Sequence, residues 1–164
     1  MKLSDLKVVV TGGASGMGRC FALELARAGA AVAIADLDES KMAEVVAASR
    51  DLPGKIFPFH ANVAEENDVV ALIEGAHTTL GGLNGLVNNA GIFRDGLLVK
   101  QDRETGAVRK MSLGDWNAVI AVDLTGPFLC TREFAAKMIA SGTKSSCIVN
   151  ISSVARHGNP GQSN

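Results

Sequence analysis

The apolar run CIVNIS (147–152) delivers two hydroxyls, Ser152 and Ser153, into a Gly/Pro-rich ending. A strand that empties into such a loop is a common way of presenting reactive side chains. Near the other end, VVVTGGASGMG (8–18) sets Gly12, Gly16 and Gly18 between a strand and a helix. A dinucleotide needs that arrangement: residues without a Cβ let the backbone approach a diphosphate, and free N–H groups at the helix start meet its charge. Asp36 closes the second strand about 20 residues beyond the glycines, where a carboxylate can accept the hydroxyls of an adenosine ribose. A 2′-phosphate would meet like charge there. Leu37 follows Asp36 and Ser15 precedes Gly16, with no basic residue at either place, so the pattern favours NAD over NADP. The Gly-Lys-Ser/Thr of a nucleotide-triphosphate loop is missing. A methyltransferase using S-adenosylmethionine also has a glycine turn and an acidic second strand, and stays open on these residues.

The elements that must position these groups alternate between strands and helices. Lys7 to Val10 is a β-branched run, and the following segment places Met17, Phe21, Leu25 and Ala28 on one helical stripe before Gly29 ends the helix. AVAIAD (31–36) is a second buried strand, and residues 38–49 form a helix that turns Met42, Val45 and Val46 inward. KIFPFHANV (55–63) leads into a helix over 65–80, LNGLVNNAG (83–91) is a fourth strand, 112–141 a long helix and CIVNIS a fifth strand. Such alternation specifies right-handed crossovers and a doubly wound parallel α/β sheet. Residues 94–112 break the rhythm: they are charged, turn at Thr105-Gly106, and read as a solvated hairpin.

Composition bounds the function. The 164 residues suit one domain, and a core of Ala, Val, Leu and Ile with 4% aromatics is that of a helix-covered parallel sheet. A net charge of −1 supplies no field for nucleic acid or acidic membranes. Cys20, Cys130 and Cys147 are odd in number and far apart, which predicts reduced, buried thiols and no metal. The charged N-terminus lacks a signal peptide's apolar core and no run approaches the ~20 residues of a membrane span, so a cytoplasmic protein is expected.

Three segments, TGGASGMG (11–18), NNAG (88–91) and NISS (150–153), occur in this order and resemble the short-chain dehydrogenase/reductase family across essentially the whole chain. Leu97, Leu98 and MSLGDWNAVIAVDLTGPFLCTREFAAKMI look especially like its bacterial 3-oxoacyl-thioester reductases. The resemblance implies a Rossmann-like fold and hydride transfer between NAD(H) and a secondary alcohol or ketone. It implies that Gly12, Ser15, Gly16, Met17 and Gly18 hold the diphosphate and its ribose. Asp36 and Leu37 would surround the adenosine ribose, Asn62 and Val63 would contact adenine, and Asn89, Ala90 and Gly91 would line the exit of the fourth strand. Asn62 stands where the family commonly has aspartate; its amide oxygen can still accept the adenine amino proton. Ser153, by strand alignment, or Ser152, by counting along the loop, would hydrogen-bond the reacting carbonyl. His157 lies in the same loop and reads as solvent-facing.

Asp123 replaces the asparagine that relatives use in their proton relay. Trp116, Val119 and Ile120 place it on an otherwise apolar helix face, so its carboxylate needs a partner or a raised pKa. Pro127 lacks an N–H, leaving the Asp123 carbonyl without its helical bond and predicting a kink there. The family's proton donor, a Tyr-x-x-x-Lys pair, is absent: the chain has no tyrosine, and GQSN (161–164) resembles the residues just before it. Residues 1–164 thus read as a C-terminally incomplete dinucleotide-binding domain, five strands of an expected seven. The parent would be a homo-oligomer, and the chain alone would be inactive; the alternative is a non-catalytic dinucleotide-binding module.

Overall fold

The computed structural model describes residues 2–94 and 96–158. Its principal sheet has five parallel strands: β1 (Lys7–Thr11), β2 (Ala31–Asp36), β3 (Lys55–His60), β4 (Gly85–Asn88) and, at the far edge, the strand Cys147–Asn150, here β7. Two short strands, β5 (Val99–Gln101) and β6 (Val108–Lys110), pair antiparallel in a separate ribbon. The sheet order is β3-β2-β1-β4-β7, with every neighbouring pair parallel. The fold is Rossmann-like: the chain moves outward in one direction from β1 to β3, then returns past β1 to build β4 and β7. The reversal leaves a crevice at the carboxyl ends of β1 and β4.

Period-two alternation divides the core. Val8, Val10, Val32, Ile34 and Ile56 pack beneath α1 (Gly16–Arg27) and α2 (Glu39–Ala48). Val9, Ala33, Ala35 and Leu86 face the other way, against α3 (Glu66–Leu80) and α5 (Gly126–Ala140). Asp38 caps α2 by accepting the Lys41 N–H, and Gly81, at φ 65°, ends α3 in the left-handed conformation. Pro58 sits in β3, an edge strand, where its missing N–H interrupts no ladder.

Some expectations need correction. The stripe Met17, Phe21, Leu25, Ala28 is not the buried face of α1; Gly18, Ala22 and Ala26 are, while Met17 is 59% exposed. Size decides this. A methyl group at Gly18 would lie 2.1 Å from the Gly12 carbonyl oxygen, so α1 rests so close to the β1 turn that only small residues fit. Of the cysteines, only Cys130 is buried, and burial pushes its thiol up to about 12; Cys20 and Cys147 are exposed, on the outer side of α1 and on the edge strand.

The long helix is divided. α4 (Leu113–Val119) passes into a π-helical segment, Ile120–Thr125, and then α5. The Gly126 N–H reaches back to the Ala121 carbonyl, and Pro127 stands at the start of α5. The disruption expected from Pro127 is thus a widened turn around Asp123. The apolar face assigned to Trp116, Val119 and Ile120 is only partly covered: Val119 is buried and Ile120 half-buried, whereas Trp116 is exposed. Residues 94–112 contain the expected hairpin, turning at Gly106 with φ 68°.

Candidate active site

A cleft of about 1130 Å³ opens at the carboxyl ends of β1, β2, β4 and β7. Its floor is the β1–α1 turn. Gly12 has φ 64°, and a Cβ there would lie 2.9 Å from the Cα of Ala90; Gly12 is therefore what lets the turn touch the β4 exit. Gly16 has φ 51° and nothing within 4 Å of where its Cβ would be, so the start of α1 is open to the cleft. Ser15 makes no side-chain cap and the first turn of α1 holds no acid. The N–H groups there remain available to an anion, and the twelve-residue helix adds its positive end. Gly12, Ser15, Gly16 and Met17 line this floor; Gly18 does not, its role being the contact with Gly12.

Asp36 stands at one side of the cleft. One of its oxygens accepts the Ala14 N–H at 3.0 Å, and the other accepts from Leu37 at 2.8 Å and Asp38 at 3.2 Å. A carboxylate has about four lone-pair sites. Three are used to hold the β1 turn and β2 exit together, and the remaining one, on the oxygen facing Ala14, can take a hydroxyl proton. Leu37 lines the cleft beside it. Asn62 and Val63 form the adjoining wall; the Asn62 amide oxygen accepts from Ala64 at 3.1 Å and retains a second lone pair, while Val63 packs where a Gly126 Cβ would be.

The β4 exit is fixed by a residue the sequence pattern did not flag. The hydroxyl oxygen of Thr11 accepts the N–H groups of both Asn89, at 3.0 Å, and Ala90, at 3.1 Å. The Asn89 amide donates to the Thr11 carbonyl at 3.0 Å, while its own oxygen is buried without a partner. Asn88 donates to Thr131 at 3.1 Å and to the Asn150 side chain at 2.7 Å, and its oxygen is likewise buried and unpartnered. This polar cluster ties β4 to β7 beneath Ser152. A run of NNAG after a strand hints at it, but periodicity carries no signal for cross-strand amide pairs.

At the other side, the Asp123 carboxylate accepts the Ile92 N–H at 2.9 Å, and Gly91 passes close to that carboxylate. Burial pushes the Asp123 carboxyl above its ordinary value, with the Ile92 N–H drawing it part of the way back. Ser152 and Ser153 line the cleft beside it. The Ser153 hydroxyl oxygen accepts the Ala155 N–H at 3.1 Å, capping the short turn Val154–His157 and leaving its proton free to be donated. His157 is exposed and accepts a hydrogen bond from Arg156. Arg156 is the one cation among the described residues that line the cleft, and it lies on the serine loop, not beside Asp36. Residues 161–164, which resemble the approach to a catalytic tyrosine, lie outside the described residues.

All the candidate residues except Gly18 therefore meet in one cleft, at the reversal point of a doubly wound sheet. A glycine turn, an acidic second strand and a serine-bearing strand exit at the reversal point of the sheet are features of a Rossmann-like, dinucleotide-binding type of domain. The family described as short chain dehydrogenase matches residues 6–164, and the chain belongs to that family, which decides against the methyltransferase alternative. It is 37% identical over 165 aligned positions to 3-oxoacyl-(acyl-carrier-protein) reductase FabG of Thermotoga maritima, with all of this chain and 62% of that protein covered. It is 40% identical to 3-oxoacyl-(acyl-carrier-protein) reductase of Synechocystis sp., covering 95% of the chain and 59% of that protein. It is 39% identical to 2,5-dichloro-2,5-cyclohexadiene-1,4-diol dehydrogenase of Sphingobium indicum, covering 93% and 56%. The chain thus spans about three fifths of the length of these relatives.

Proposed function

We propose that this domain binds NAD(H) and serves reversible hydride transfer between that coenzyme and a ketone or secondary alcohol, with a 3-oxoacyl thioester as the favoured ketone. The observation that carries the proposal is the single cleft joining the open N-terminus of α1, the spare acceptor on Asp36 and the Ser152–Ser153 loop. The bound nicotinamide would supply or receive the hydride. The protein's own groups do the rest: the α1 N–H groups hold the diphosphate, Asp36 holds the adenosine ribose, and Asn62 and Val63 flank the adenine. Ser153 is proposed to donate its proton as a hydrogen bond to the substrate oxygen, with Ser152 as the neighbouring alternative. Asp123 anchors the Ile92 N–H and so keeps the β4 exit against the π-helical turn.

The choice of NAD rests on charge. Among the described residues no cation lines the cleft beside Asp36 and Leu37, and a 2′-phosphate would desolvate against a carboxylate. The relatives named as 3-oxoacyl reductases support the substrate class. The test is made on the product of the complete reading frame: 3-oxoacyl thioesters should be reduced with loss of NADH absorbance and with NADPH a poorer donor. No turnover with either coenzyme, together with coenzyme binding by calorimetry, would replace the enzyme by a dinucleotide-binding module.

A further inference from the structure

The wall of the cleft beside Asp36 carries a side chain with two hydrogen-bonding characters. β3 runs beside β2 with His60 opposite Asp36, and the Ala61 N–H donates to the Asp36 carbonyl at 3.2 Å. Asn62 therefore stands just past the carboxylate assigned to the adenosine ribose, where it lines the same cleft. Its backbone is fixed at both ends. The Asn62 N–H donates to the Asp68 carboxylate, in the first turn of α3, at 2.9 Å, and the Asn62 carbonyl accepts the Glu65 N–H at 3.0 Å.

The orientation of the Asn62 amide follows from its partner. The Ala64 N–H, 3.1 Å from Oδ1, can only donate, so the atom that faces it must be the oxygen and not the nitrogen. That bond uses one lone pair of the oxygen. The other lone pair stays free, as do both protons on Nδ2, which have no partner among the described residues. Asn62 is half-buried, so the backbone that carries these groups is held in the wall of the cleft. It offers an acceptor and a donor side by side, whereas the aspartate that the family commonly has here offers acceptors alone.

We propose that Asn62 widens the choice of purine, so that the cleft takes a dinucleotide whose base bears a 6-oxo group, nicotinamide hypoxanthine dinucleotide, as well as one bearing the 6-amino group of adenine. This rests on the coenzyme reading given above and concerns the base alone. The amino group of adenine donates and meets the free lone pair of Oδ1. The oxo group of hypoxanthine accepts and meets a proton of Nδ2. An aspartate in the same place would face that oxo group acceptor to acceptor, leaving two desolvated oxygens without a proton between them. A site that pairs a polar group rejects an analogue of opposite polarity by a large factor, and Asn62 removes the basis for that rejection.

The experiment measures, by calorimetry, the dissociation constants of NAD and of nicotinamide hypoxanthine dinucleotide for the product of the complete reading frame and for its Asn62→Asp and Asn62→Ala variants. Asn62→Asp keeps an oxygen for the Ala64 N–H and so keeps the turn. The unmodified protein should bind both dinucleotides, and Asn62→Asp should raise the ratio of the two constants about ten-fold or more against hypoxanthine. Other contacts to the base act on both proteins alike and cancel in that comparison. Asn62→Ala, with neither donor nor acceptor, should weaken both dinucleotides by a similar factor of about two to ten. A ratio unmoved by Asn62→Asp, binding of NAD without binding of the hypoxanthine dinucleotide, or affinities untouched by Asn62→Ala would each overturn the role of Asn62. If the unmodified protein binds neither dinucleotide, the coenzyme reading itself has failed, and the choice of base falls with it.

Discussion

Asp123 places a carboxylate where an amide would serve the same geometry at lower cost. Its single described partner is the Ile92 N–H, and burial outweighs that bond in raising its pKa above 3.8. Folding therefore favours the protonated form more than the unfolded chain does. The ionised carboxylate costs stability once the pH exceeds the raised native value, and that cost vanishes below the unfolded value of 3.8. Asp123→Asn, whose amide oxygen can accept the same N–H, should raise the melting temperature at pH near 7 and leave it unchanged in acid below about pH 4. Equal melting temperatures at both would mean that the carboxylate is solvated. Asp36 is a carboxylate with three N–H donors already in place. Asp36→Ala should weaken NAD binding by about 1.5–3 kcal/mol, the worth of a hydrogen bond to a charged group. Calorimetry showing unchanged affinity would remove Asp36 from the ribose site. For the serines, Ser153→Ala should lower kcat by about 10²–10³, the usual effect of losing one donor to a developing oxyanion. If Ser152→Ala lowers kcat that far and Ser153→Ala does not, the roles are exchanged.

At the scale of elements, α1 is the piece that the hydrophobic pattern misreads. Met17, Phe21 and Leu25 recur at helical spacing, yet the surface that meets the sheet is Gly18, Ala22 and Ala26. Periodicity finds large apolar residues; close approach demands small ones. Gly18→Ala should therefore cost about 1–3 kcal/mol, an overpacking penalty, because the new methyl lies 2.1 Å from the Gly12 carbonyl oxygen. Denaturant melts should show that loss, and a neutral result would mean that α1 can shift outward freely. The alternation of strands and helices was legible because each carries its own punctuation: Asp38 before α2, Gly81 after α3, Gly29 after α1. The meeting of the glycine turn, Asp36 and the serine loop in one cleft was legible because each stands at the carboxyl end of a strand in the same parallel sheet. Thr11, the Asn88–Asn150 pair and the Ile92 partner of Asp123 were not, since each depends on which strand exits lie side by side. The π-helical turn was half legible: Pro127 announces a disruption, but not that the chain widens to absorb it.

For the whole molecule, the cleft is the seam along which the two halves of the sheet are joined. Gly12, Asp36 and Asn62 belong to the half that runs from β1 to β3, and Asn89, Asp123 and Ser153 to the half that follows the reversal. The β1–β4 ladder joins the halves along the strands, and at the cleft end Thr11 holds Asn89 and Ala90, while two buried amide oxygens beside it stay unpartnered. A dinucleotide lying along the cleft would touch both halves at once, which is bound to favour the folded state over the unfolded chain. At a concentration of about 100 times its dissociation constant, a ligand adds about 2.7 kcal/mol. For a domain of this size, about 2–4 °C accompanies each kcal/mol, so NAD should raise the melting temperature by about 5–10 °C. S-adenosylmethionine at the same concentration should raise it by far less, because it has no diphosphate for the open start of α1 to receive. Asp36→Ala should shrink the NAD shift while leaving some of it, since the α1 N–H groups remain. A shift of equal size with both compounds would separate the stabilisation from the diphosphate, and with it the cleft from the coenzyme.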